Sequence, residues 1–198
     1  MSSIPVSHPE RTIEWHLPNK HRVGMTALIV GESAIFTIFV IAYVFYIGKS
    51  LSGPTPAQVL EVPILATFCL LSSSFTIWRA EKAIEDGRIG SFTVWLGTTI
   101  ALAGVFLTGT AREWKKLIYQ DGLTVSTNLF GTTFYSLVGL HATHVVVGLV
   151  LLTSIFIFSL FGCVDSRHSD RFGVVALYWH FVDAVWIVVF TVVYLIGR

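Results

Sequence analysis

Charged and polar positions are bunched along this chain, and between the bunches lie five long apolar stretches: 23–47, 62–78, 92–111, 129–162 and 174–196. A helix needs roughly 20 apolar residues to cross the hydrocarbon of a bilayer. None of the stretches shows the alternating ~10-residue pattern of an outer-membrane barrel strand. The pattern therefore predicts an all-α, polytopic membrane protein built as a five-transmembrane-helix bundle. Residues 1–22 read as a polar N-terminal tail and 23–198 as a single membrane domain, with no internal repeat or soluble domain. Pro5, Pro9, Pro18, Pro54, Pro56 and Pro63 fall in the tail, in the first loop or at the entrance to the second stretch. That placement leaves the helix interiors unbroken. At ~1.5 Å per residue the fourth stretch is longer than a ~30 Å core, so it is expected to tilt or to project.

Composition agrees. Hydrophobic residues make up 54% of the chain and charged residues only 13%, against about 25% charged in ordinary soluble domains. A soluble globular domain and a disordered chain are both excluded. The net charge of +1 leaves no basic footprint for nucleic acid. Cys69 and Cys163 lie far apart and form neither a CxxC pair nor a disulfide framework. Lysine and arginine counts set orientation. Arg11, Lys20, Arg22, Arg79, Lys82, Arg88, Arg167 and Arg171 fall on one side, against Lys49, Arg112, Lys115, Lys116 and Arg198 on the other. The bias places the N-terminus in the cytoplasm, and no apolar h-region marks a cleaved signal peptide. Trp78 and Trp114 stand at helix ends, where indoles anchor to headgroups.

Ionisable residues inside a membrane are costly and are functional candidates for that reason. Five qualify: Glu32, His141, His144, His180 and Asp183. Glu32 sits near mid-depth of the first helix, where an ionised carboxylate is expensive unless paired. It reads as a protonated carboxyl bonded to a neighbouring helix, as a proton-linked group, or as a lipid-headgroup contact. His141 and His144 are three apart on one helix face, and so are His180 and Asp183 on another helix. Two membrane helices bearing histidines can ligate a haem, which keeps a small b-type haem protein open; a proton-coupled carrier is the other alternative of a different class. Neutral histidines in an interhelical polar network are favoured, with the Asp183 carboxylate fixing the His180 tautomer in one hydrogen-bonded unit. The small-residue pairs Gly97/Ala101, Gly104/Thr108 and Gly139/Thr143 allow close helix approach. Glu61, Glu113 and Asp121 read as solvated interfacial acids. No Walker loop, GxSxG or HExxH motif occurs, so no metal ligands and no complete active site are assigned.

Four segments together resemble subunit III of the haem-copper terminal oxidases, the cytochrome c oxidase type in its bacterial five-helix form. They are RVGMTALIVGESAIFTIF, the LEVPIL entrance to the second helix, FGTTFYSLVGLHATHVVVG with its G-x-H-x-x-H-V-x-x-G pattern, and ALYWHFVDAVWIVVFTVVYLIG. The match runs in order from about Arg22 to Gly197. The resemblance implies an accessory subunit without redox centres, integral to the bacterial inner membrane. Haems and copper are then expected in partner subunits, with no cofactor on this chain and bound phospholipid left open. The implied partners are catalytic subunit I, subunit II, membrane lipids and, as open choices, a subunit IV and a respiratory supercomplex. The implied role is to support assembly, proton uptake and stability of the catalytic subunit in a complex that reduces oxygen to water and pumps protons. Glu32 falls on the family's intramembrane carboxylate, and His141, His144, His180 and Asp183 on its polar positions in the last two helices. Quinol oxidases and some nitric oxide reductases use similar five-helix subunits, so a cytochrome c oxidase is the first expectation and a quinol oxidase or nitric oxide reductase complex the alternative. The family's long form has seven helices, and the two missing here remove one wall of its lipid cleft. A glutamate common near the end of the third helix is replaced by Thr110, with Glu113 following.

Overall fold

A computed structural model describes residues 20–50 and 53–197. Of the expected tail at 1–22, residues 1–19 lie outside the described ones, and Lys20, His21 and Arg22 already belong to the first helix. The described elements are α1 (Lys20–Tyr46), the single turn α2 (Pro56–Val59), α3 (Ile64–Glu85), α4 (Ile89–Tyr119), α5 (Leu129–Leu160) and α6 (Ser169–Phe190). A 3₁₀ turn, Ser166–His168, leads into α6, and a π-helical turn, Thr191–Ile196, ends it. No strand occurs among the described residues.

Four of the five long helices are long and apolar enough to cross a membrane: α1, α4, α5, and α6 taken with its flanking turns as Ser166–Ile196. The second stretch, expected as a span at 62–78, falls short. Its helix, α3, places Ser72, Ser73, Ser74 and Thr76 in the middle and Arg79, Glu81, Lys82 and Glu85 in the last two turns. Both α3 and α4 also overrun the apolar windows, because helical hydrogen bonding continues past the last apolar residue into the polar region. What stops the chain is turn chemistry. At Gly87 (φ 72°) the Arg88 N–H donates to the Ala83 carbonyl at 2.8 Å. At Gly162 (φ 70°) the Cys163 N–H donates to the Phe158 carbonyl at 3.0 Å. Both are left-handed closures that favour glycine. The N-terminus of α5 is capped by Asn128, whose side chain accepts from the Gly131 N–H at 2.8 Å and donates to the Pro54 carbonyl at 3.2 Å. One residue thus starts a helix and pins the first loop.

The long helices alternate in direction. The α6 helix packs against α1, α3 and α5, while α5 also touches α1 and α4, and α3 packs on α4. The pair α5–α6 is therefore the axis of the bundle, and α1 sits at its edge with only Phe36 and Tyr43 buried. Leu70, Ile77, Leu96, Phe106, Trp179 and Trp186 fill the interior, while Ile38, Phe68, Val94, Val150 and Leu195 point outward. In lipid such packing rests on van der Waals fit and close approach rather than on escape from water. Close approach is evident where Gly148 of α5 meets α6: a Cβ there would fall 2.8 Å from the Trp179 ring. Gly97, from the small-residue pairs, faces Phe156 and Gly139 faces Trp114, whereas Gly104 meets nothing within 4 Å.

Candidate functional site

The five intramembrane candidates do not converge on one site. They divide into three environments.

The first joins α1 to α5. Glu32 Oε2 lies 3.2 Å from His144 Nε2, with the two side chains 26% and 14% exposed. His144 Nδ1 lies 2.8 Å from the Leu140 carbonyl, one turn back. A carbonyl only accepts, so Nδ1 carries a hydrogen and donates. The contact with Glu32 then holds a single proton: either a carboxyl O–H donates to a bare Nε2, or an Nε2–H donates to a carboxylate. Phe36, one turn along α1, packs on the His144 ring at 5.0 Å. The Tyr178 hydroxyl of α6 donates to the His144 carbonyl at 3.2 Å. Leu28, Glu32, Thr143, His144, Val147 and Tyr178 line a cavity of about 250 Å³. The pair thus sits at the edge of the bundle, beside open space.

The second joins α3 to α6, and here the expected His180–Asp183 unit is corrected. The two are bridged by Ser74, whose hydroxyl donates to Asp183 Oδ2 and lies 3.1 Å from His180 Nδ1. Having given its one proton to the carboxylate, Ser74 accepts from an Nδ1–H of His180. The tautomer is set through a serine on another helix, not by the carboxylate three residues away. Next to it the Trp179 indole N–H donates to Ser73 Oγ at 2.9 Å, and Ser73 donates to the Leu70 carbonyl at 2.6 Å. Asp183 is buried and its Oδ1 has no partner.

The third is His141 alone. It is fully buried, stacked on Trp186 at 4.9 Å with Phe106 edge-on at 6.0 Å, and neither ring nitrogen has a hydrogen-bond partner. Although three residues apart on α5, His141 and His144 share only the Phe36 ring between them.

Two interfacial expectations are also corrected. Glu113 is not a solvated acid: the Tyr194 hydroxyl lies 3.0 Å from each of its carboxylate oxygens and donates to them. The π-helical turn at 191–196 carries Tyr194, and the Glu113 carboxylate takes its hydroxyl there. Trp114 is no headgroup anchor, since its ring packs edge-on against Tyr135 at 5.4 Å and its N–H is buried. Ser73, Ser74 and Tyr194 were not singled out from sequence. The available signal for the two serines was the run Ser72–Ser74 within the apolar stretch 62–78.

Comparison with known proteins gives one family. Residues 19–198 match the family model for cytochrome c oxidase subunit III. The chain is 32% identical to the cytochrome c oxidase subunit 3 of Bacillus subtilis (strain 168), over 98% of this chain and 94% of that one. It is 40% identical to the cytochrome c oxidase subunit 3 of a Synechocystis strain, over 90% of this chain and 77% of the relative. It is 32% identical to the cytochrome bo(3) ubiquinol oxidase subunit 3 of Pseudomonas aeruginosa, over 88% and 84% respectively.

Proposed function

Because the chain belongs to the cytochrome c oxidase subunit III family, we propose that it is the non-redox subunit III of a bacterial respiratory haem-copper oxidase. Catalytic subunit I and subunit II are its partners in this reading. They hold the haems and copper, and the complex reduces oxygen to water while pumping protons. The chain contributes structure and a proton-handling environment. The observation that carries that role is the Glu32–His144 contact, a one-proton pair between two helices beside a cavity.

The histidine geometry supports the non-redox reading. A bis-histidine haem needs ligands from facing helices, but His180 turns to Ser74 of α3 while His141 is enclosed by Phe36, Phe106 and Trp186. His144 already uses both ring nitrogens. We take α3 as the fifth crossing. It begins at the end of the bundle where α1 finishes and ends where α4 begins, and its 22 residues reach ~33 Å at 1.5 Å each. The end bearing Lys20, Arg22, Arg79, Lys82, Arg88, Arg167 and Arg171 is placed in the cytoplasm of the bacterial cell.

Cytochrome c is the proposed electron donor. The Pseudomonas relative, named as a ubiquinol oxidase subunit, favours quinol as the second reading. The test is to purify the complex through a tag on this chain and assay oxygen consumption with reduced cytochrome c and with ubiquinol. Cytochrome c oxidation together with a dinuclear copper signal supports the first reading. Quinol oxidation without that copper replaces it with the second.

A further inference from the structure

A wide cavity among the described residues lies away from every group discussed for proton handling. It is a groove of about 500 Å³ between the entrance to α3 and the C-terminal half of α4. Its lower wall is apolar and outward-facing: Ile64 is 71% exposed, Leu65 73% and Val105 45%. Gly109 adds no side chain to that floor, and a Cβ there would stand 3.3 Å from the Ala66 Cβ of α3. The upper rim is charged. Val105 and Gly109 fall inside the apolar run 92–111, and the rim follows directly as Arg112, Glu113 and Lys116 with Glu61 opposite. An apolar trough that becomes a charged rim one turn higher has the layout of a lipid site, acyl chain below and headgroup above.

The rim also selects the headgroup. Lys116 is taken by an ion pair with Glu61. Arg112 is exposed and makes no ion pair or hydrogen bond among the described residues. Glu113, fixed by Tyr194, is acceptor-only when ionised and keeps lone pairs to spare. Two cations and two carboxylates balance, so a headgroup of net negative charge gains an arginine but meets an acid. A zwitterion satisfies both, with phosphate on the guanidinium fork and ammonium on Glu113. A quaternary ammonium has no N–H to give a carboxylate and is held by aromatic faces instead, and no aromatic residue lines the groove. We propose that this groove binds one phospholipid whose headgroup carries a phosphate and a primary amine, with Arg112 and Glu113 as its ligands. The site depends on the chain lying in a membrane, not on the oxidase reading.

The test uses the complex purified through a tag on this chain, stripped of lipid with detergent. It is then reconstituted with dioleoyl phosphatidylethanolamine, phosphatidylcholine or phosphatidylglycerol, each carrying a photoreactive acyl chain. The expected result is one phosphatidylethanolamine retained per chain, crosslinked within 59–66 or 105–117. Arg112→Gln and Glu113→Gln should each lower retention about tenfold, the scale of one charge-assisted hydrogen bond. Glu113→Gln keeps an acceptor for Tyr194, so loss of lipid there is not loss of fold. Equal or better retention of phosphatidylglycerol or phosphatidylcholine overturns the headgroup assignment. Crosslinks outside the groove, or to a protein partner seated in it, overturn the site.

Discussion

Two polar clusters cross this bundle, built from the same kinds of residue, and they are held very differently. At the α3–α6 contact, Asp183 is 3% exposed and Ser73 fully buried, with Ser74, His180 and Trp179 completing the set. At the α1–α5 contact, Glu32 and His144 meet alone, with more exposed side chains and a cavity beside them. In the first, the carboxyl is buried between α3 and α6 and bonded by Ser74, with Ser74 and His180 half-buried beside it. The second involves α1, the long helix with the fewest buried residues. On the proposed reading the carboxyl at the edge exchanges its proton through the adjoining cavity, whereas Asp183, away from that cavity, is held by Ser74. In that reading, position within the bundle, more than residue type, separates the proton-handling pair from interhelical glue.

Four substitutions break or sharpen that contrast. The largest effect is expected from Trp179→Ala, which empties the space against Gly148 and removes the indole N–H that Ser73 accepts. The cost should be about 3–5 kcal/mol, read as loss of the assembled complex in mild detergent. Asp183→Ala comes next. It leaves the Ser74 hydroxyl without its acceptor and should cost about 1–2 kcal/mol, measured as a lowered melting temperature with spectra unchanged. Glu32→Ala should cost less, about 0.5–1 kcal/mol for a half-open pair, leaving assembly largely intact. Thr76→Val, which removes the 2.7 Å hydroxyl contact with Thr99 between α3 and α4, is the smallest at about 0.6 kcal/mol. If Glu32→Ala destabilises the complex more than Asp183→Ala does, the contrast is reversed.

Much of the fold was legible because apolar length and charge placement are set by the chain itself. The five long helices follow from them. The helix ends were less so. Hydrogen bonding carries α4 through Arg112, Lys115 and Lys116 to Tyr119, where hydropathy no longer speaks. The span expected at 62–78 fell short because its helix starts only at Ile64, carries Ser72, Ser73, Ser74 and Thr76 in its middle, and reaches Arg79 and Glu81 within 18 residues. The candidate residues were legible as types and depths, since a glutamate inside an apolar run stands out. Their pairing was not. Glu32 meets a histidine 112 positions away, and Ser74 meets Asp183 109 positions away, distances fixed only by which helices pack together. Local spacing even misled: three residues apart on one helix suggested a direct His180–Asp183 bond, and the bridge comes from α3. Gly148 lay within the G-x-H-x-x-H-V-x-x-G pattern, yet its contact with Trp179 appears only once α5 and α6 are docked.

The most direct test places Glu32→Gln beside Asp183→Asn in the assembled complex and follows oxygen-reduction rate and turnover lifetime across pH. Glutamine keeps an amide within reach of His144 but cannot supply a titrating proton, and asparagine still accepts from Ser74. The account predicts that Glu32→Gln alters the pH dependence or shortens the turnover lifetime while the complex stays assembled. Asp183→Asn should change neither and only lower the melting temperature. A Glu32→Gln complex with unchanged pH dependence and unchanged lifetime would contradict the account and reduce that pair to a structural contact like the other.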